Sequence, residues 1–136
     1  MQMIKYLLAC LFPLILAGQS KGPDCRKVKT GTFYFYPANS QEAYTIIRNG
    51  AVQKEINMHQ SDTAFFRISW LSDCSFTLKF IKKSRNLSDE EKSVYNAHNL
   101  VIEILEVTKQ YYTMKAALDS LSSRMTFTDT LWFKSR

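Results

Sequence analysis

Glycine is scarce in this chain, with four residues in 136. None of them forms a glycine-rich loop, so the sequence holds no phosphate cradle of the dinucleotide or P-loop kind. Histidine is rarer still. His59 and His98 stand alone, with no second ligand three to five residues away and no paired cysteines beside them, which leaves no metal signature. Serine is common, but no Gly-x-Ser-x-Gly elbow occurs and neither histidine has an identifiable partner. Adjacent carboxylates occur only at Asp89-Glu90-Glu91. No cofactor is implied, and the expectation is a protein without catalytic activity. No apolar run approaches the ~20 residues that cross a bilayer. No repeat or low-complexity tract divides the chain.

What is present begins at the first residues. Lys5 supplies one positive charge, and Tyr6 to Ala17 follow without any. Gly18, Gln19 and Ser20 are small or polar. This is the layout of a secretory signal peptide, with a basic start, a short apolar middle and a small-residue cleavage site. Pro13 sits mid-run, where it would cost a helix about 3 kcal/mol. The reading is a signal peptide over 1–20, cleaved after Ser20 or Ala17, and a single domain over 21–136 that is secreted or periplasmic. Leu7-Leu8-Ala9-Cys10 also looks like a lipobox, which would make the product an envelope protein lipid-anchored through Cys10. The apolar stretch before Cys10 is short, so ordinary cleavage is preferred.

The net charge is +6. A basic surface attracts nucleic acid, anionic lipid or acidic glycans. The charges are scattered, and the densest group is Lys79, Lys82, Lys83 and Arg85. These read as solvated side chains guarding a strand end. Nucleic acid is a poor partner for an exported protein. Of three cysteines, Cys25 and Cys74 survive cleavage. In an oxidising compartment an even pair in a small domain reads as a disulfide, with two buried free thiols as the alternative.

Alternation with a period of two dominates the rest. Thr32–Tyr36, Ala43–Arg48, Ala51–Met58, Thr63–Trp70, Cys74–Ile81, Leu100–Val107, Tyr111–Ala117 and Met125–Phe133 read as strands, although Tyr111–Ala117 also admits a helix. Leu118–Ser123 reads as a loop. Ser88-Asp89-Glu90-Glu91 has the form of a capping box and predicts a short helix near 89–95. Asn49-Gly50 suits the centre of a type I′ hairpin. That turn would set Arg48 opposite Ala51, Ile47 opposite Val52, Ile46 opposite Gln53 and Tyr44 opposite Glu55. The expected fold is all-β: an antiparallel meander of about eight strands, closed or partly closed into a small barrel. A two-sheet sandwich is the alternative.

Cys-Arg-Lys-Val-Lys-Thr-Gly-Thr-Phe-Tyr-Phe at 25–35 resembles a group of small exported Bacteroidetes proteins. So do Ile47-Arg48, Gln53-Lys54-Glu55 and Ile68-Ser69-Trp70-Leu71-Ser72-Asp73-Cys74-Ser75-Phe76-Thr77-Leu78. The resemblance implies a lipocalin-like β-barrel and supplies no catalytic residues. Some members carry a topoisomerase label, which nothing in this chain supports: it has no nucleotide site and no motif around a catalytic tyrosine.

The hairpin places Arg48, Gln53 and Glu55 on one face with Tyr44 and Ile46. Turned inward, the three would form a polar network able to orient a ligand, since buried charge must be paired and hydrogen-bonded. Turned outward, they are an ordinary solvated ladder. Trp70 and Asp73 beside Cys74 read either as a pocket rim or as a packed corner. The candidate ligand-binding residues are therefore Arg48, Gln53, Glu55, Tyr44 and Trp70. The expected function is binding of a small or amphipathic ligand, lipid included, inside the barrel. The alternative is a protein-interaction or envelope accessory module with a filled core.

Overall fold

The computed structural model describes residues 21–97, 99–119 and 125–136. The leader expected over 1–20, Cys10 within it, His98 and most of the expected 118–123 loop lie outside the described residues. Eight antiparallel strands close into a barrel in sequence order. They are β1 (Thr30–Phe35), β2 (Tyr44–Asn49), β3 (Val52–Asn57), β4 (Thr63–Ser72), β5 (Ser75–Lys83), β6 (Asn99–Val107), β7 (Tyr111–Asp119) and β8 (Thr126–Trp132). One helix, α1 (Asp89–Ala97), and a 3-10 turn at Cys25–Val28 complete the described chain. The meander and barrel are as expected, and Tyr111–Asp119 is a strand, running two residues into the segment read as a loop.

The alternating pattern explains the closure. Phe33, Ile46, Ile68, Phe76, Leu78, Ile102, Ile104, Tyr112 and Leu131 all point into the barrel and form one buried cluster. Their strand neighbours point outward, as the pleat requires. The outward positions include Lys54, Arg67, Lys79, Glu103 and Lys115, all exposed. Charge at mid-strand costs a bilayer-facing wall roughly 2–4 kcal/mol per basic residue, so this is not the outer surface of a membrane barrel. No helix among the described residues is long and apolar enough to cross a membrane.

Two irregularities place side chains that the period alone does not. The first is the β2–β3 hairpin. Arg48 pairs with Gln53, Ile47 with Lys54, Ile46 with Glu55 and Tyr44 with Asn57. The expected register is thus shifted by two residues. Gly50 has φ +91°, whereas Asn49 is not among the residues with positive φ. The two-residue turn is therefore Gly50-Ala51, with glycine at the first central position as a type II′ turn prefers. Asn49 instead flanks it, and its Oδ1 accepts from the Val52 amide at 3.2 Å. Because the shift is even, the inward and outward faces are unchanged.

The second irregularity is a bulge. Phe65 pairs with Lys82, but Phe66 pairs with Phe80. The extra residue resets the alternation. Phe80 points inward, Lys82 outward, and Lys83 turns towards the barrel's end. Beyond Leu78, β5 no longer pairs with β6. There α1 packs on β5, with Tyr95 stacked on Phe80 at 4.3 Å. The helix begins at the anticipated capping box. The Glu91 amide donates to Ser88 Oγ at 3.2 Å and the Ser88 amide to Glu91 Oε2 at 2.9 Å.

A Cys25–Cys74 disulfide, Cα atoms 5.3 Å apart, ties the 3-10 turn to the β4–β5 hairpin. This closes one end of the barrel and buries Val28 completely.

Candidate functional site

The barrel has a filled end and an open end, and the candidate residues of the β2–β3 hairpin run between them. At the filled end Arg48 is 2% exposed and Gln53 3%. Arg48 Nε and Nη2 both donate to Gln53 Oε1, at 3.0 and 2.8 Å. Nη1 donates to the Val28 carbonyl at 2.5 Å and Nη2 to the Tyr112 hydroxyl at 3.1 Å. The guanidinium also lies 4.7 Å from the Phe76 ring centroid and 5.1 Å from that of Phe33. A buried cation is thus held by neutral acceptors and aromatic faces, which offset its lost hydration.

Gln53 passes the network on. Its Nε2 donates to Glu55 Oε1 at 2.8 Å. Burial pushes the Glu55 carboxyl up from its ordinary value; the Gln53 hydrogen bond and the charges of Arg48 and Lys83 only partly oppose this. Above Arg48 the barrel retains a cavity of about 130 Å³, lined by Arg48, Gln53, Glu55, Asp129 and apolar side chains. Burial raises the Asp129 carboxyl as well.

At the open end lies a larger cavity of about 490 Å³. Phe35 and Glu55 border both spaces. Three connections build this mouth. The β1–β2 loop brings Pro37 and Glu42. The β3–β4 loop brings Gln60 and Asp62. The β5–α1 connection and α1 bring Arg85 and Tyr95.

The loops are held by specific polar contacts. Asn57 Oδ1 accepts from the amides of His59 and Gln60, at 2.9 and 3.0 Å, which turns the β3–β4 loop. Asn57 Nδ2 donates to Glu42 Oε2 at 2.5 Å. Asp62 receives Lys83 Nζ at 3.0 Å and Arg85 Nε at 3.2 Å. Burial works against the charged form of Asp62, but these two cations outweigh it and hold the carboxyl below its usual range. Arg85 also binds Glu91 at 2.5 Å. That hydrogen bond, helped by the Ser88 amide, takes the Glu91 carboxyl down to about 2.

The charge balance of the mouth follows. Lys83 and Arg85 are engaged by carboxylates. Among the described residues, Glu42 and Glu55 meet only neutral amides within hydrogen-bonding distance. Beside them stand Phe35 and Tyr44, whose rings are 6.1 Å apart, and Tyr95. The groups outside any ion pair at the mouth are therefore carboxyls among aromatic faces.

Of the five residues proposed from sequence, Arg48, Gln53 and Glu55 form one continuous chain of hydrogen bonds. Tyr44 joins Glu55 at the mouth. Trp70 does not join them. It lies at the filled end, where its indole N–H donates to the Gly50 carbonyl at 3.3 Å and its ring meets Phe76 at 4.7 Å. Lys29 covers it and pairs with Asp73 at 3.3 Å, so this is a packed corner. Sequence reasoning missed Glu42, Asn57, Asp62, Lys83, Arg85 and Tyr95. The capping box and the lysine-arginine cluster were visible, but nothing in the sequence joined them to Asp62.

The raised Glu55 carboxyl has a testable sign. A group that holds its proton more tightly when folded stabilises the fold below its unfolded pKa, and that stability is lost as pH rises through the folded pKa. Glu55→Gln keeps an acceptor for Gln53 and removes the titration. The variant is expected to melt above the wild type at neutral pH. The gap should close as pH falls towards the ordinary glutamate value of 4.5. Thermal melts across pH check this, and a gap independent of pH would contradict it. Glu91 acts in the opposite sense at lower pH, in both proteins alike.

No protein-family model matches the chain, and no curated protein matches its sequence.

Proposed function

We propose that this is an exported, non-catalytic binding protein that takes a small ligand with a cationic group at the mouth of its barrel. The observation that carries the reading is the 490 Å³ cavity in which Glu42 and Glu55 form no ion pair among the described residues while Phe35, Tyr44 and Tyr95 supply aromatic faces. Its volume falls in the range of about 300–1,000 Å³ usual for small-molecule sites. The 130 Å³ inner space is below that range. An acyl chain running down the barrel axis would meet Arg48 and Phe76, so a long amphipathic ligand fits less well than a compact one. An organic cation gains from both the carboxylates and the ring faces.

The disulfide supports an oxidising compartment. The leader over 1–20 and the resemblance to exported barrel proteins belong to the same proposal. The alternative, an interaction module with a packed core, draws on the filled end of the barrel but leaves the mouth without a role.

Calorimetric titration with tyramine and with its neutral and carboxylate counterparts tests the proposal. The amine is expected to bind, and the carboxylate is not. Tyr95→Ala and Glu55→Gln should each weaken the amine by about tenfold or more, the scale of one charge-assisted contact. Binding of none of the three compounds, or amine binding indifferent to both substitutions, would remove the mouth as the site.

A further inference from the structure

The outer wall across β3, β4 and β5 carries four exposed cations: Lys54, Arg67, Lys79 and Lys82. The register places them in two adjacent rows. Lys54, Phe65 and Lys82 lie side by side in one, and Arg67 and Lys79 in the next. The ammonium groups of Lys54 and Lys82 flank a single ring, 5.6 and 5.1 Å from the Phe65 centroid. Among the described residues, none of the four cations forms an ion pair. No Asp or Glu occupies an outward position on these three strands. The bulge in β5 builds the array, because it sends Lys82 outward and leaves Ile81 beside it, 44% exposed.

Like charges on neighbouring strands repel one another. A solvated, stabilising face would intersperse acids, as the mouth does around Asp62. The four cations are instead concentrated without ion-pair partners, and two of them lie against the Phe65 ring. We infer that this face docks on an anionic lipid surface, with the cations meeting headgroup phosphates and Ile81 reaching the interface. The array extends in two dimensions over three strands, which matches a surface better than a linear polyanion. Each basic residue near an anionic leaflet contributes roughly fivefold in affinity, and the effect fades within a Debye length. This is a peripheral, salt-sensitive contact and is independent of the ligand site.

Co-sedimentation with vesicles of phosphatidylcholine, alone or mixed with phosphatidylglycerol, tests it. The protein is expected to bind the mixed vesicles at low salt, release them at high salt and ignore the neutral ones. Lys79→Glu/Lys82→Glu should weaken binding by about tenfold or more. Lys27→Glu/Lys109→Glu, with the same total charge but outside the face, should change it far less. The inference fails if mixed vesicles do not bind at low salt, or if the two double variants lose binding equally. It also fails if a soluble acidic polysaccharide binds the face more tightly than the vesicles do, which would assign it to glycan. Melting curves of both variants establish that each remains folded.

Discussion

Arg48→Ala is expected to destabilise the fold by about 3–5 kcal/mol, because it leaves buried acceptors without donors and opens a cavity in the core. The substitution orphans three acceptors at once: Gln53 Oε1, the Val28 carbonyl and the Tyr112 hydroxyl. Each buried polar group left without a partner costs about 1–3 kcal/mol. Truncation also empties the space beside the Phe33 and Phe76 rings, which cannot close freely in a barrel. Arg48→Met separates the two effects. It restores much of the packing but none of the donors, so it should recover only part of the loss. Denaturant unfolding at pH 7 gives the comparison. If Arg48→Met is as stable as the wild type, the hydrogen bonds contribute nothing net and the cation serves another purpose. Arg48→Lys should not rescue either, because one ammonium cannot place donors on Gln53, Val28 and Tyr112 in the directions that a planar guanidinium does.

That Arg48, Gln53 and Glu55 share a face was legible in the sequence, for a reason the register shift makes clear, whereas the direction in which that face turns was not. The face of a strand residue depends only on parity. A hairpin centred on Asn49-Gly50 and one centred on Gly50-Ala51 differ by two residues in pairing, so both put Arg48, Gln53 and Glu55 on the same side. What parity cannot supply is contact. Gln53 stands directly opposite Arg48, receives two of its N–H groups and passes the link on to Glu55. Choosing the turn from sequence required knowing that Asn49 would spend its side chain on the Val52 amide rather than adopt a positive φ.

The mouth was less legible, because its residues come from loops and from a broken alternation. Asp62, Lys83 and Arg85 meet only because β4 and β5 pair out to their ends and the β5 bulge reverses the facing of Lys82 and Lys83. An uninterrupted strand would have pointed Lys83 outward and Lys82 inward. Tyr95 reaches the site from a helix whose start was evident in Ser88 and Glu91 but whose resting place was not. Trp70 shows the converse. It shares an inward face with Ile68, but strand direction puts it at the far end from Tyr44, and face patterns carry no information about which end of a barrel a residue occupies.

The second large effect concerns the disulfide. Cys25→Ser with Cys74→Ser is expected to cost about 4 kcal/mol, from the loop-closure entropy of a crosslink spanning 49 residues. The bond also holds the 3-10 turn over the filled end, and that turn presents the Val28 carbonyl to Arg48. Releasing the turn therefore removes one of the acceptors of the buried cation. The two large predictions should not be additive, because groups that share a partner couple by about 0.5–3 kcal/mol. In a double-mutant cycle, Arg48→Ala should cost less in the cysteine-free protein than in the crosslinked one, since part of its network is already loose. Amide exchange gives the structural counterpart. Without the crosslink, protection should fall first at Cys25–Val28 and at the β4–β5 hairpin, while the β6–β7 pairing keeps its protection. Full additivity in the cycle would mean that the 3-10 turn stays seated without its covalent tie and that the disulfide acts on the unfolded chain alone.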